Sequence, residues 1–216
     1  MVELKFCGLT RPEDAREAGA LGARYVGVIF ADSARRLTVD RARQVLDGAP
    51  HGTARVGVFG AVTPEEVVAF ARGAGLDIAQ LHGDPDAAMV REVRRHWSGP
   101  VWAVLRIAGA TLPASAAALF DEADSVVLDA RVDGTLGGTG TALSWEALRA
   151  PLAPMRTGRA RLVLAGGLNA SNIARAIAAV EPDVVDVSSG VEAGVGIKDH
   201  VKMRAFRDAA HSEALR

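Results

Sequence analysis

The chain of 216 residues contains a single cysteine, Cys7. One thiol excludes an intrachain disulfide framework and a cysteine-rich zinc site, and it suits a reducing compartment. An excess of one charge is also lacking, since 25 basic and 26 acidic side chains leave a formal net charge of −1. That balance offers no electrostatic footprint for nucleic acid or an anionic membrane. A phosphate-bearing ligand would therefore be held locally, by backbone amides or one or two basic groups. Long apolar runs are missing too. None approaches the roughly 18 residues of a spanning helix. The start, "MVELKFCGLTRPEDAREAG", carries Glu3, Lys5 and Arg11 where a secretory signal would carry an apolar core. The expectation is a soluble, cytoplasmic protein with neither a membrane nor a nucleic-acid partner.

What the chain does have is apolar bulk, 49% of residues against 24% charged, which is enough for a large core. It also has a repeated unit. A short, β-branched apolar run ends in a small or polar residue, and a stretch with helical spacing follows. The runs span residues 2–8, 24–30, 54–60, 77–83, 101–107, 125–130, 161–167 and 183–190. Helix starts are signalled by Thr10 as N-cap before Pro12 and Glu13, and again by Thr63 before Pro64. Eight strand–helix units about 25 residues apart predict a parallel sheet covered by helices. Such units close into a single (β/α)8 TIM barrel with eight parallel strands over residues 1–216, or remain an open doubly wound sheet. No linker or change of composition divides the chain, which favours the barrel.

A barrel places its active site at the C-terminal ends of the strands. Strand one ends on Cys7, either buried filler or a reagent. Strand four ends on His82 in "QLHG" and strand six on Asp129 in "VVLDA", a carboxylate that is costly to bury without a partner or a cleft. After strand two, "FADSARR" offers Arg35 and Arg36, one of which could fork onto a carboxylate or phosphate. Three late glycine-rich segments are "GGTG" with Gly138, Thr139 and Gly140, "AGGLNASN" with Gly166 and Gly167, and "SSGVEAGVG" with Ser188, Ser189 and Gly190. Loops of this kind after the last strands cradle phosphate on backbone amides. His51, His96, His200 and His211 fall in loops or helices and read as solvated, and no metal-ligand spacing occurs. Neither a nicotinamide fingerprint nor a lysine ending a strand is present. The mouth thus reads as a thiol and a carboxylate nearly opposite each other beside a phosphate cradle, suited to proton transfer without cofactor or metal.

The segments "KFCGLTRPEDA", "YVGVIFADSARRLT", "VGVFG", "QLHGD", "VVLDA", "GGTGTALSW", "LAGGLNASNI" and "DVSSGVEAGVGIKDHVKMRAF" occur in the order of a known family. The chain resembles the phosphoribosylanthranilate isomerases of tryptophan biosynthesis. The resemblance implies a (β/α)8 barrel, monomeric or homodimeric, acting on a phosphosugar. The implied reaction is an Amadori rearrangement of N-(5-phosphoribosyl)anthranilate to 1-(2-carboxyphenylamino)-1-deoxyribulose 5-phosphate. It further implies that Cys7 is the general base and Asp129 the general acid. Arg35 would face the anthranilate end, Asp186 would hold that arginine, and the glycine loops would hold the phosphate. Two departures stand out. "FADSARR" is one residue short of the family's usual spacing and has Ala34 in the place of a proline, so the motif carries onto Arg35 or Arg36. Gly60 stands where the family usually has asparagine. Strand periodicity also puts Lys5 on the face of Cys7, where it could favour the thiolate. The alternatives are a bifunctional histidine/tryptophan isomerase, which would carry aspartate in place of Cys7, and a catalytically silent phosphate-binding barrel. A metal-dependent epimerase is disfavoured by the missing histidines.

Overall fold

A computed structural model describes residues 1–107, 109, 111–130 and 145–212. The strands are β1 (Glu3–Phe6), β2 (Tyr25–Ile29), β3 (Ala54–Phe59), β4 (Ile78–Leu81), β5 (Val101–Ile107), β6 (Ser125–Ala130), β7 (Arg161–Leu164) and β8 (Val184–Val187). They pair in sequence order as a closed parallel barrel. Closure decides between the two topologies read from the sequence. β1 and β8 are paired from Glu3 with Val184 to Phe6 with Val187, which an open sheet forbids. The helices are α1 (Pro12–Ala20), α2 (Val39–Leu46), α3 (Pro64–Ala74), α4 (Ala87–His96), α5 (Ala116–Glu122), α6 (Trp145–Leu152), α7 (Ile173–Val180) and α8 (His200–His211). A short antiparallel hairpin of β9 (Glu192–Gly194) and β10 (Ile197–Lys198) stands between β8 and α8. Residues 188–196 were expected only as a glycine-rich loop.

Local chemistry accounts for most helix starts. Thr63 accepts from Glu66 N–H while the Glu66 carboxylate accepts from Thr63 N–H, a reciprocal cap. Thr38, Asp86 and Asp199 cap α2, α4 and α8 with their side chains. Thr10 does not cap α1 as expected. The N-cap is Arg11, and the Thr10 hydroxyl donates instead to the Gly196 carbonyl at 2.5 Å. The hairpin competes for that hydroxyl. Pro12 still opens the helix, where its missing N–H costs nothing.

Alternation along each strand sorts side chains into two cores. Outward residues such as Leu4, Phe6, Val26 and Leu128 pack under the helices. Inward residues Tyr25, Val56, Ile78, Trp102, Val104, Val127, Val163 and Val184 fill the barrel's centre and lower end. Tyr25 and Trp102 meet edge-to-face there, ring centroids 4.9 Å apart. The same alternation, two residues further along, brings Cys7, His82, Asp129 and Asp186 to the open end. The barrel floor is therefore apolar and closed, and its mouth is polar.

Candidate active site

One cleft at the C-terminal end of the barrel is lined by Cys7, Arg35, His82, Asp129, Gly166, Gly167, Asp186, Ser188, Ser189 and Gly190. Among the described residues it encloses about 670 Å³, part of it open to solvent. Arg35 lines it whereas Arg36 is exposed. Gly138, Thr139 and Gly140 lie outside the described residues.

Cys7 is the first residue past β1, and its N–H still bonds the Val187 carbonyl at 2.9 Å. The thiol is buried, 7% exposed, with Lys5 beneath it on the same face. Lys5 is fully buried, and its Nζ lies 2.6 Å from Asp186 Oδ2. The two residues are register partners across the β1–β8 seam, so barrel closure itself makes the pair. Gly27 leaves room for it, since a Cβ there would stand 3.0 Å from Cys7 Sγ and 3.4 Å from Lys5 Cε. Burial alone would lower the Lys5 pKa, but Asp186 and Cys7 outweigh it and hold the ammonium above its ordinary range. Burial pushes the Cys7 thiol up, and Lys5, followed by Lys198, opposes the rise without cancelling it, Asp186 adding to it. The thiol is therefore neutral at pH 7, with a cation beside it that favours its anion.

Asp186 was expected to hold Arg35. That expectation is corrected, because Asp186 pairs through Oδ2 with Lys5 at the seam, and Arg35 pairs with another carboxylate. Arg35 is held by Glu192 from the hairpin, with Nε and Nη2 each 2.7 Å from a carboxylate oxygen. On its other side Glu192 Oε1 accepts from Lys198 Nζ at 3.0 Å, and Lys198 also donates to the Ser188 carbonyl at 3.0 Å. Burial alone would raise the Glu192 pKa, but Arg35 and Lys198 bring it down to about 2. Burial pulls Lys198 below the usual ammonium range despite Glu192.

On β6, three strands round the ring from β1, Asp129 is 6% exposed. His82 Nε2 lies 3.3 Å from Asp129 Oδ2, close enough for an ion pair but without hydrogen-bond geometry. Gln80, two residues before His82 and on the same face, lines the cleft as well, and the sequence reading missed it. Among the described residues, Gln80 Oε1, His82 Nε2 and Asp186 Oδ1 are buried with no hydrogen-bond partner in the protein. Each such atom costs about 1–3 kcal/mol, and three of them around one cleft fit a polyhydroxylated ligand better than an apolar one.

The loops after β7 and β8 meet backbone to backbone. A Cβ on Gly190 would stand 1.9 Å from the Leu168 carbonyl oxygen, so only glycine permits the contact. Gly166 and Gly167 both take positive φ, 87° and 68°, which turns the chain sharply after β7. Asn172 fixes that turn, donating to the Gly167 carbonyl at 2.9 Å and accepting from Asn169 N–H at 2.8 Å. Of the histidines read as solvated, His200 is instead paired, Nε2 lying 2.8 Å from the buried Asp14. It stands outside the cleft.

Comparison with known proteins shows the family and the fold. A family model described as N-(5′-phosphoribosyl)anthranilate (PRA) isomerase matches residues 4–209. The chain is 42% identical to the N-(5′-phosphoribosyl)anthranilate isomerase of Rubrobacter xylanophilus, over 98% of this chain and 100% of that one. It is similar in structure to the phosphoribosyl anthranilate isomerase of Thermotoga maritima, with a TM-score of 0.87 and 33% identity over 98% of this chain and 100% of that one. A further similar structure, at a TM-score of 0.82, 33% identity and the same coverage, is a phosphoribosyl anthranilate isomerase in complex with reduced 1-(o-carboxyphenylamino)-1-deoxyribulose 5-phosphate.

Proposed function

The chain belongs to the N-(5′-phosphoribosyl)anthranilate isomerase family, an enzyme family of tryptophan biosynthesis that carries out aldose–ketose isomerisation, and on that premise we propose how its cleft performs the reaction. The substrate is N-(5-phosphoribosyl)anthranilate. Its phosphate sits on the loops of Gly166, Gly167, Ser188, Ser189 and Gly190, and its anthranilate carboxylate meets Arg35. Asp129 donates a proton to the furanose ring oxygen. The C1′–O bond breaks as the nitrogen lone pair forms the C1′=N bond of a ring-opened Schiff base. Cys7, as thiolate, then takes the proton from C2′. The electrons of that C–H bond form the C1′=C2′ bond of an enolamine, and the nitrogen recovers its lone pair. Tautomerisation to the C2′ ketone gives 1-(2-carboxyphenylamino)-1-deoxyribulose 5-phosphate. Every proton and electron pair is retained, so the step needs no redox partner.

The observation that carries the reading is the placement of one thiol beside a buried lysine across one cleft from a buried carboxylate. Two proton-transfer groups at opposite walls suit a substrate whose ring oxygen and C2′ lie on either side of C1′. The test is a fluorescence assay following consumption of phosphoribosylanthranilate, run beside the corresponding histidine-pathway substrate. Turnover of the first alone is expected. Turnover of both would assign a bifunctional enzyme, and turnover of neither would assign a silent barrel.

A further inference from the structure

Arg35 projects from an exposed loop between β2 and α2, and the Ser33 hydroxyl, which accepts from Arg35 N–H at 3.1 Å, fixes only its backbone. A long side chain on such a loop samples many rotamers unless something holds its head. What holds it comes from the segment after β8, separated from β2 in the ring only by β1 yet 157 residues away in sequence. Glu192 takes the Nε and Nη2 edge in a fork, which leaves the Nη1 edge of the guanidinium for a second carboxylate. Glu192 itself is 6% exposed and would be costly to bury charged beside one cation alone. Lys198 supplies the second cation. Lys198 is buried too, and its remaining donors go to Ser188, at 3.0 Å to the carbonyl and 3.5 Å to the hydroxyl. Ser188 opens the loop assigned to the phosphate. Gly8 completes the arrangement, because a Cβ there would lie 2.8 Å from both Arg35 Cδ and Ser188 Oγ.

We infer that Glu192 and Lys198 are positioning residues, which aim the free edge of Arg35 at the aryl carboxylate of the substrate and lock that aim to the phosphate loop through Ser188. The inference rests on the proposed reading that Arg35 faces the anthranilate end. It assigns the hairpin a task. A carboxylate on β9 and a lysine on β10 make one rigid bracket between the two anionic ends of the ligand. The pKa of Glu192, brought down to about 2, keeps the carboxylate of that bracket charged throughout the neutral range.

The experiment measures inhibition constants for two compounds, reduced 1-(o-carboxyphenylamino)-1-deoxyribulose 5-phosphate and its phenylamino counterpart without the carboxylate. In the unmodified enzyme the carboxylate is expected to improve binding by about 100-fold, as an oriented charge-assisted pair does. Glu192→Gln keeps the shape of the side chain but presents an amide donor to two cations. It is expected to cut that advantage to tenfold or less while weakening the counterpart by under about threefold. Glu192→Asp, which keeps the charge but withdraws it by one methylene, is the second variant and is expected to lose the advantage likewise. A merely structural role would weaken both compounds alike. An undiminished advantage in folded Glu192→Gln and Glu192→Asp overturns the inference and leaves the reading of Arg35 standing. If the unmodified enzyme does not distinguish the two compounds, Arg35 does not meet the carboxylate, and the reading falls with the inference.

Discussion

Cys7→Ala is expected to lower kcat/KM for phosphoribosylanthranilate by roughly 10²- to 10⁴-fold, the range for loss of a positioned general base. The cleft holds one thiol, and the chain has no other cysteine to substitute for it. The nearest basic group, Lys5, is tied to Asp186 at 2.6 Å and held above its ordinary range, so it is charged and cannot accept the proton. Cys7 lines an open cleft rather than a closed void, and truncation there widens the cleft without stranding a cavity in the core. Circular dichroism should therefore match that of the unmodified protein. Robust turnover by folded Cys7→Ala would remove Cys7 from the mechanism.

Asp129→Asn is expected to cost a similar factor for a different reason. The amide keeps the volume and the place at the end of β6 but cannot deliver a proton to the ring oxygen. Ring opening then has to expel an alkoxide unaided. Among the described residues, His82, 3.3 Å from Asp129, is placed to relay a proton. Single-turnover rates with matched far-ultraviolet spectra check the prediction. A loss smaller than tenfold in folded Asp129→Asn would assign the acid elsewhere.

Much of this site is legible along the chain because a barrel converts sequence order into place. Each strand contributes its last inward side chain to the mouth, so reading strand ends finds Cys7, His82 and Asp129, and the same rule puts Asp186 beside them. Glycines read as loop chemistry are required by close approaches, as at Gly190 against Leu168. What the sequence hides are contacts created by closure and by the hairpin. Lys5 and Asp186 are 181 residues apart and meet only because β8 returns to β1. Arg35 was assigned to Asp186 because both carry family motifs, yet the seam lysine claims that carboxylate and Glu192 claims the arginine. Thr10 follows the same logic in miniature, its capping hydroxyl drawn off by a hairpin that begins some 180 residues later. Local propensity cannot weigh such competition, because the competing partner is set by tertiary structure.

The account turns on Cys7 acting as the base, and a single cysteine makes that directly measurable. Thiolate absorbance near 240 nm, followed against pH in the intact enzyme and corrected by the Cys7→Ala variant for Tyr25 ionisation, reports on Cys7 alone. The kcat/KM profile for phosphoribosylanthranilate in the same buffers reports the pKa values of the essential acid and base in the free enzyme. Burial puts the thiol above its ordinary value, so one limb of the kcat/KM profile should have its midpoint where the absorbance does. The two midpoints are expected to coincide. A kcat/KM profile with no limb at the pH where the thiol titrates would contradict the assignment.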